Sequence, residues 1–160
     1  MERKDFSVPL QMRERQPLIE MLSLLLVEDD NRTRDLFSQF FHMKGYQVHE
    51  ARNGEEAVDM ACRQSFDLVL MDVKMPRVDG LEAFHRIRQV SPSSKVLLMT
   101  GFGMSEELES LLKEPTVAYV HKPCTFDQLL TVIGDLMAAN ASQDPADGAR
   151  PGDDTAAEQR

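Results

Sequence analysis

Leu22-Ser23-Leu24-Leu25-Leu26-Val27-Glu28-Asp29-Asp30 is a nearly unbroken apolar run that stops on three acids. A short run without alternation suits a strand buried on both faces, the usual condition of a strand in a parallel sheet. Two further stretches have the same design. Leu68-Val69-Leu70-Met71 ends on Asp72, and Val96-Leu97-Leu98-Met99 closes on Thr100-Gly101. Val117-Ala118-Tyr119-Val120 is a shorter strand candidate that leads into His121-Lys122-Pro123, and residues 46–50 alternate like a fifth.

Helical periodicity fills the gaps between these runs. Leu36, Phe37, Phe40 and Phe41 form one stripe, with Gly45 placed to stop the helix in a left-handed turn. Ala57, Val58, Ala61 and Cys62 mark a second helix; Leu81, Phe84 and Ile87 mark a third, from Gly80 to just before Ser91-Pro92. Ser105 followed by Glu106 and Glu107 is an N-cap with acids in the first turn, predicting a helix to about Lys113. Thr125 and Gln128 form a capping box that opens a last helix with Phe126, Leu129, Leu130, Ile133 and Met137 on its apolar face. Five strands alternating with five helices predict βαβ units, a doubly wound parallel sheet and a three-layer αβα sandwich.

The composition, 42% hydrophobic and 28% charged, is that of a soluble globular domain, and no apolar run approaches the roughly 18 residues of a membrane span. A net charge of −9 disfavours a nucleic-acid surface, which needs clustered Lys and Arg. The two cysteines, Cys62 and Cys124, lack metal or redox spacing, and the absence of a secretory signal pattern points to a cytoplasmic setting. The folded domain is expected over residues 21–137. Residues 138–160 hold seven alanines and no larger apolar side chain, so a disordered acidic tail is expected there. Residues 1–20, with balanced charge, are an N-terminal extension, a docking arm, or a stretch upstream of a true start at Met21.

In an open α/β sheet the functional crevice lies beyond the carboxyl ends of the strands. The residues expected there are Glu28, Asp29, Asp30, Asp72, Thr100 and Lys122. Carboxylates gathered so closely repel unless something neutralises them, and a hard divalent cation with oxygen ligands is the simplest answer. Asp30, directly before a helix, reads equally well as that helix's cap. His42, His49, His85 and His121 share no ligand spacing and read as surface or packing residues.

With these stretches in order, and with Lys74-Met75-Pro76 and Asp79-Gly80 after Asp72, residues 22–137 resemble the receiver domain of a two-component response regulator. The resemblance implies a flavodoxin-like sheet with strand order 2-1-3-4-5. It implies that Asp72 accepts a phosphoryl group from a histidine kinase or histidine phosphotransfer protein. It further implies that Asp29, Asp72 and the backbone carbonyl of Lys74 bind Mg²⁺, with Glu28 acting through water. Lys122, followed by a cis peptide, would meet a phosphoryl oxygen, and Thr100 would offer its hydroxyl. Tyr119 would report the switch by changing rotamer, or is simply a half-buried aromatic at a sheet edge. The expected readout is a shift of the surface over residues 102–125.

The sequence also departs from the pattern. Glu114-Pro115-Thr116-Val117 stands where many receivers carry a Gly-Ala pair, so the preceding helix is expected to be short. Lys74 and Phe102 flank the site in positions that would tune phosphoryl lifetime. A dehalogenase-type phosphohydrolase would need an acid where Lys74 stands. A nucleotide or flavin module would need a Gly-rich loop where Glu28-Asp29-Asp30 stands, and a receiver-like scaffold that takes no phosphate is the remaining rival. With only a short polar stretch after Met137, the expected output is contact with a protein target or a homodimer, without direct nucleic-acid or membrane binding.

Overall fold

The computed structural model describes residues 21–101 and 103–139. The extension at 1–20, Phe102 and residues 140–160 of the tail expected over 138–160 lie outside the described residues; Ala138 and Ala139 instead end and cap the last helix. Strands and helices alternate as β1 (Ser23–Val27), α1 (Asn31–Met43), β2 (Gln47–Ala51), α2 (Gly54–Arg63), β3 (Leu68–Asp72). They continue as α3 (Gly80–Val90), β4 (Lys95–Thr100), α4 (Glu106–Leu111), β5 (Val117–His121) and α5 (Phe126–Ala138). The five strands form one sheet of order β2-β1-β3-β4-β5, with every pairing parallel. This is the flavodoxin-like order expected from the resemblance.

The pleat sends alternate side chains to opposite faces, and each face has its own core. Leu24, Leu26, Leu68, Leu70, Leu97 and Met99 pack with Phe41 of α1 and with Leu129, Ile133 and Leu136 of α5. Leu25, Val27, Val69, Met71, Val96 and Leu98 pack with α2, α3 and α4 through Ala57, Ala61, Ala83, Phe84, Ile87, Leu108 and Leu111. A continuous apolar strand is therefore required in the centre, which is why β1, β3 and β4 carry no polar alternation. On the first face Phe40 stacks on Phe126 with ring centroids 3.9 Å apart, joining α1 to α5.

Local signals match their expected roles at most element ends. Gly45 adopts φ +88° after α1, and Tyr46 N–H donates to the Phe41 carbonyl at 3.0 Å. Asp30, Asn53, Asp79, Ser105 and Thr125 each cap a helix by accepting from a backbone N–H, and Thr125 with Gln128 forms the full capping box. Two side chains assigned to apolar stripes are corrected. Leu36 is 57% exposed, because the inner face of α1 is completed by the buried Arg34 and Ser38 instead. Cys62 is likewise exposed on α2, where Gly54, Ala57 and Ala61 are the inward positions.

Helix α4 ends at Leu111, two residues before the expected limit, and the chain tightens through Lys113 and Glu114 into β5. The unusual segment after it has a partner. Arg88 donates to the Pro92 and Ser94 carbonyls, both at 2.8 Å, and to Thr116 Oγ1 at 3.1 Å. Its guanidinium also faces Glu114 at 3.5 Å and lies over the Phe84 ring. Glu114 and Thr116 thus dock the start of β5 onto α3.

Gly80 opens α3 directly against the end of β3. Its N–H donates to the Val73 carbonyl at 2.7 Å, and an added Cβ would overlap the Asp72 carbonyl oxygen and lie 2.7 Å from the Val73 Cα. The obstacle is backbone, so it cannot swing aside. Gly80→Ala is expected to destabilise the domain by about 1–3 kcal/mol, measured by urea unfolding.

Candidate functional site

Each strand-end residue singled out in the sequence arrives where a strand stops. Asp72 is the last residue of β3 and Thr100 the last of β4; both are buried. Glu28 follows β1 directly and Lys122 follows β5. The parallel register sets Asp72 beside Met99 and Thr100 beside His121, so residues far apart in sequence share one edge. By pleat parity Asp72 belongs with Leu68 and Leu70, while Thr100 belongs with Val96 and Leu98, so the two approach the edge from opposite faces.

Glu28, Asp29 and Asp72 form an acidic cluster in which one carboxylate oxygen from each lies within 4.8 Å of the others. Glu28 and Asp72 are the buried carboxylates among the described residues, whereas Asp29 is exposed. Asp30 stays outside the cluster and caps α1, its Oδ1 accepting from Thr33 N–H at 2.8 Å. The capping reading of that residue is the one the fold uses.

Lys122 answers part of the charge. Its Nζ donates to Asp72 Oδ2 at 2.5 Å and lies 3.5 Å from Glu28 Oε2. Its own N–H donates to the Thr100 carbonyl at 2.7 Å, and the Lys122–Pro123 peptide is cis, as the resemblance implied. The other Asp72 oxygen, Oδ1, accepts from Lys74 N–H at 3.1 Å. Glu28 Oε1 accepts from Asp30 N–H at 3.1 Å, while Oε2 is buried without a hydrogen bond.

The titration tendencies follow from this crowding. Burial pushes the Glu28 carboxyl above its ordinary value, and Asp72 and Asp29 add to the rise against the opposing pull of Asp30 N–H and Lys122. Burial alone would lower the Lys122 ammonium, but the hydrogen bond and charge of Asp72, with Glu28 behind it, raise it overall. Three carboxylates against one lysine leave the cluster with surplus negative charge, and one buried oxygen lacks a hydrogen-bond donor. An all-oxygen donor set of this kind fits a hard cation such as Mg²⁺, which takes few carboxylates and keeps waters for the rest of its shell.

Tyr119 lies in the edge strand β5, 38% exposed, two residues before the strand end and beside a cleft between β5 and α5. It belongs to the outer surface and not to the acidic cluster. Of the histidines, His85 on α3 pairs with Glu107 on α4 at 3.1 Å, and His42 Nδ1 lies 2.8 Å from the Ser38 carbonyl within α1. Sequence reasoning missed Arg34, whose guanidinium donates to the Glu28 carbonyl at 2.9 Å. A basic residue on the inward face of α1 was the available signal, hidden because Leu36 was counted on that face instead.

Because the folded chain holds the Glu28 proton to higher pH than the unfolded chain does, ionising this group weakens the fold as pH rises beyond the ordinary glutamate range. Glu28→Gln is therefore expected to raise the thermal midpoint by a few degrees in metal-free buffer near neutral pH, with a smaller difference in acid. Calorimetric melts at the two pH values check this.

Comparison with known proteins agrees with the geometry. The family described as "Response regulator receiver domain" matches residues 24–134. Sporulation initiation phosphotransferase F of Bacillus subtilis is 30% identical over 106 residues, covering 66% of this chain and 86% of that protein. Chemotaxis protein CheY of Halobacterium salinarum is 31% identical over 116 residues, covering 72% of this chain and 97% of that one. The structure of response regulator protein TrrA from Thermotoga maritima, in complex with Mg²⁺-BeF, is similar with TM-score 0.62 and 32% identity. That match covers 72% of this chain and 99% of TrrA. Against longer transcriptional and regulatory relatives the chain spans about a quarter of their length, 27% and 24% in two cases. With the strand order, the acidic cluster and a family match over most of its length, this chain belongs to the response regulator receiver domain family.

Proposed function

We propose that the protein is a receiver that accepts a phosphoryl group on Asp72 from a histidine kinase or a histidine phosphotransfer protein. The observation that carries this reading is the pairing of a buried Asp72, held by Lys122 and Lys74 N–H, with Glu28 and Asp29 close by. Two relatives of which this chain covers 97% and 86% are a chemotaxis protein and a sporulation phosphotransferase. Receiver domains usually accept phosphate rather than act as enzymes, and self-phosphorylation and self-dephosphorylation are the only chemistry assigned to this chain.

An Asp72 carboxylate oxygen attacks the phosphorus of a phosphohistidine, forming an O–P bond as the N–P bond breaks. The imidazole leaves with the electron pair and takes up a proton. Asp29, Asp72 and the Lys74 carbonyl would hold Mg²⁺, with Glu28 acting through water, and the ion would supply positive charge to offset the incoming phosphoryl oxygens. Lys122 contributes a second positive charge, already placed against Asp72. Thr100 offers its hydroxyl to a phosphoryl oxygen from the other face of the sheet.

Phosphorylation replaces the single charge of the Asp72 carboxylate with a phosphoryl group carrying roughly 1.5 to 2 negative charges and three acceptor oxygens. Thr100 and Lys122 are joined through the backbone, so a response at either passes to the ends of β4 and β5. Tyr119 and the surface from 103 to 125 carry the readout to a protein target or to a second copy of the chain, in the cytoplasm. No helix among the described residues is long and apolar enough to cross a membrane.

Acetyl phosphate with Mg²⁺ is expected to add one phosphoryl group to the protein by intact-mass spectrometry, and none to Asp72→Asn. Labelling of that variant at the rate of the unaltered protein would overturn the assignment, and so would an unaltered protein that takes no label. Mg²⁺ binding to the folded state alone is expected to stabilise it, by about 2.7 kcal/mol at a hundredfold excess over Kd. Thermal melts across a Mg²⁺ series should show this gain, with most of it lost in Asp29→Asn.

A further inference from the structure

Arg34 is buried on the inner face of α1, 7% exposed, and each nitrogen of its guanidinium has an assigned partner. Nη1 donates to the Glu28 carbonyl at 2.9 Å and Nη2 to Asn31 Oδ1 at 2.7 Å. Nε donates to Glu50 Oε2 at 3.3 Å, and the other oxygen of Glu50 accepts from Ser38 Oγ at 2.5 Å. The Glu28 N–H in turn donates to the Ala51 carbonyl of β2 at 3.1 Å. Glu28 is therefore pinned on both sides of its Cα, to β2 through its N–H and to α1 through its carbonyl.

This restraint acts where the side chain has reason to move. The Glu28 carboxyl is held beside two other acids with Oε2 buried and lacking a hydrogen bond, an arrangement that left alone would relax by turning the residue toward water. We propose that Arg34 is a positioning residue for the divalent-cation site. By fixing the Glu28 carbonyl, with Glu50 as its counter-ion on β2, it sets the backbone from which the Glu28 and Asp29 carboxylates reach toward Asp72. The inference rests on the cation-site reading made above. Outer partners that orient metal ligands typically set metal affinity by ten- to a hundredfold.

Arg88 provides an internal comparison. It is also a partly buried arginine with carbonyl, hydroxyl and carboxylate partners, but those partners lie between α3, β4 and β5 and none belongs to the acidic cluster. A purely structural role for Arg34 would make the two residues equivalent with respect to the cation.

The test is Mg²⁺ titration of the full chain by isothermal calorimetry, with circular dichroism melts of the same samples. Arg34→Met is expected to weaken Mg²⁺ binding about tenfold. Arg34→Lys, which retains a donor for one partner, should recover part of the loss. Glu50→Gln, which keeps the guanidinium but loosens its anchor, should show a smaller loss. Arg88→Met is expected to lower the melting temperature and leave Mg²⁺ affinity unchanged. Wild-type affinity in a folded Arg34→Met protein would overturn the proposal, as would parallel affinity losses in the Arg34 and Arg88 variants. Should Arg34→Met fail to fold, Glu50→Gln decides, and unchanged affinity there counts against the proposal. An unaltered protein that binds no Mg²⁺ refutes the cation site itself, an outcome distinct from loss of the Arg34 effect alone.

Discussion

Like charges packed at the edge of a low-dielectric sheet are the constraint on which the rest of this structure depends. Glu28 and Asp72 are buried beside Asp29, and Lys122 offsets only part of their charge. Such an arrangement costs stability in the resting protein, because burial and the neighbouring acids oppose ionisation of Glu28. What results is an all-oxygen cluster with surplus negative charge, a donor set that suits a hard cation such as Mg²⁺. Electrostatic tension of this kind, not a deep pocket, marks the candidate site.

The scaffold holds that tension by backbone-level fastening. Both faces of the sheet carry their own apolar core, so the central strands cannot tilt without exposing one of them. Around the site the fixings are short and local. Gly80 lets α3 rest directly on the Asp72–Val73 backbone, and Lys122 N–H ties the end of β5 to Thr100. On the far side, Arg88 binds the start of β5 to α3 by using Glu114 and Thr116, residues that depart from the usual receiver pattern. That segment is fixed to α3 by side-chain contacts, and the α4 before it has only six residues.

Much of this was legible in the chain. The apolar runs ending on Glu28, Asp72 and Thr100 predicted buried parallel strands because burial on both faces removes the polar alternation of a one-sided strand. Capping side chains at Ser105 and Thr125 and the glycine stop at Gly45 marked helix ends, since those signals act within a few residues. The stripe on α1 is less legible. Hydrophobicity, which usually decides burial, predicts Leu36 inward, yet Arg34 takes an inward position and Leu36 faces out. That exchange pays only when the guanidinium finds Glu28 and Glu50, on β1 and β2, and such partners are invisible to periodicity.

The sequence alone determined the order of strands and helices, the identity of the residues at the strand ends and the acidic character of the site. Each of these depends on side-chain type and short-range spacing. Only the tertiary structure decided which acids form the cluster and which one caps a helix, sending Asp30 to α1 and joining Glu28, Asp29 and Asp72. It also decided that Lys122 meets Asp72 across 50 residues of chain, and that Arg34 is pinned beneath Glu28. The reason is that distances between charges from separate strands are set by sheet register and twist, which no local pattern encodes.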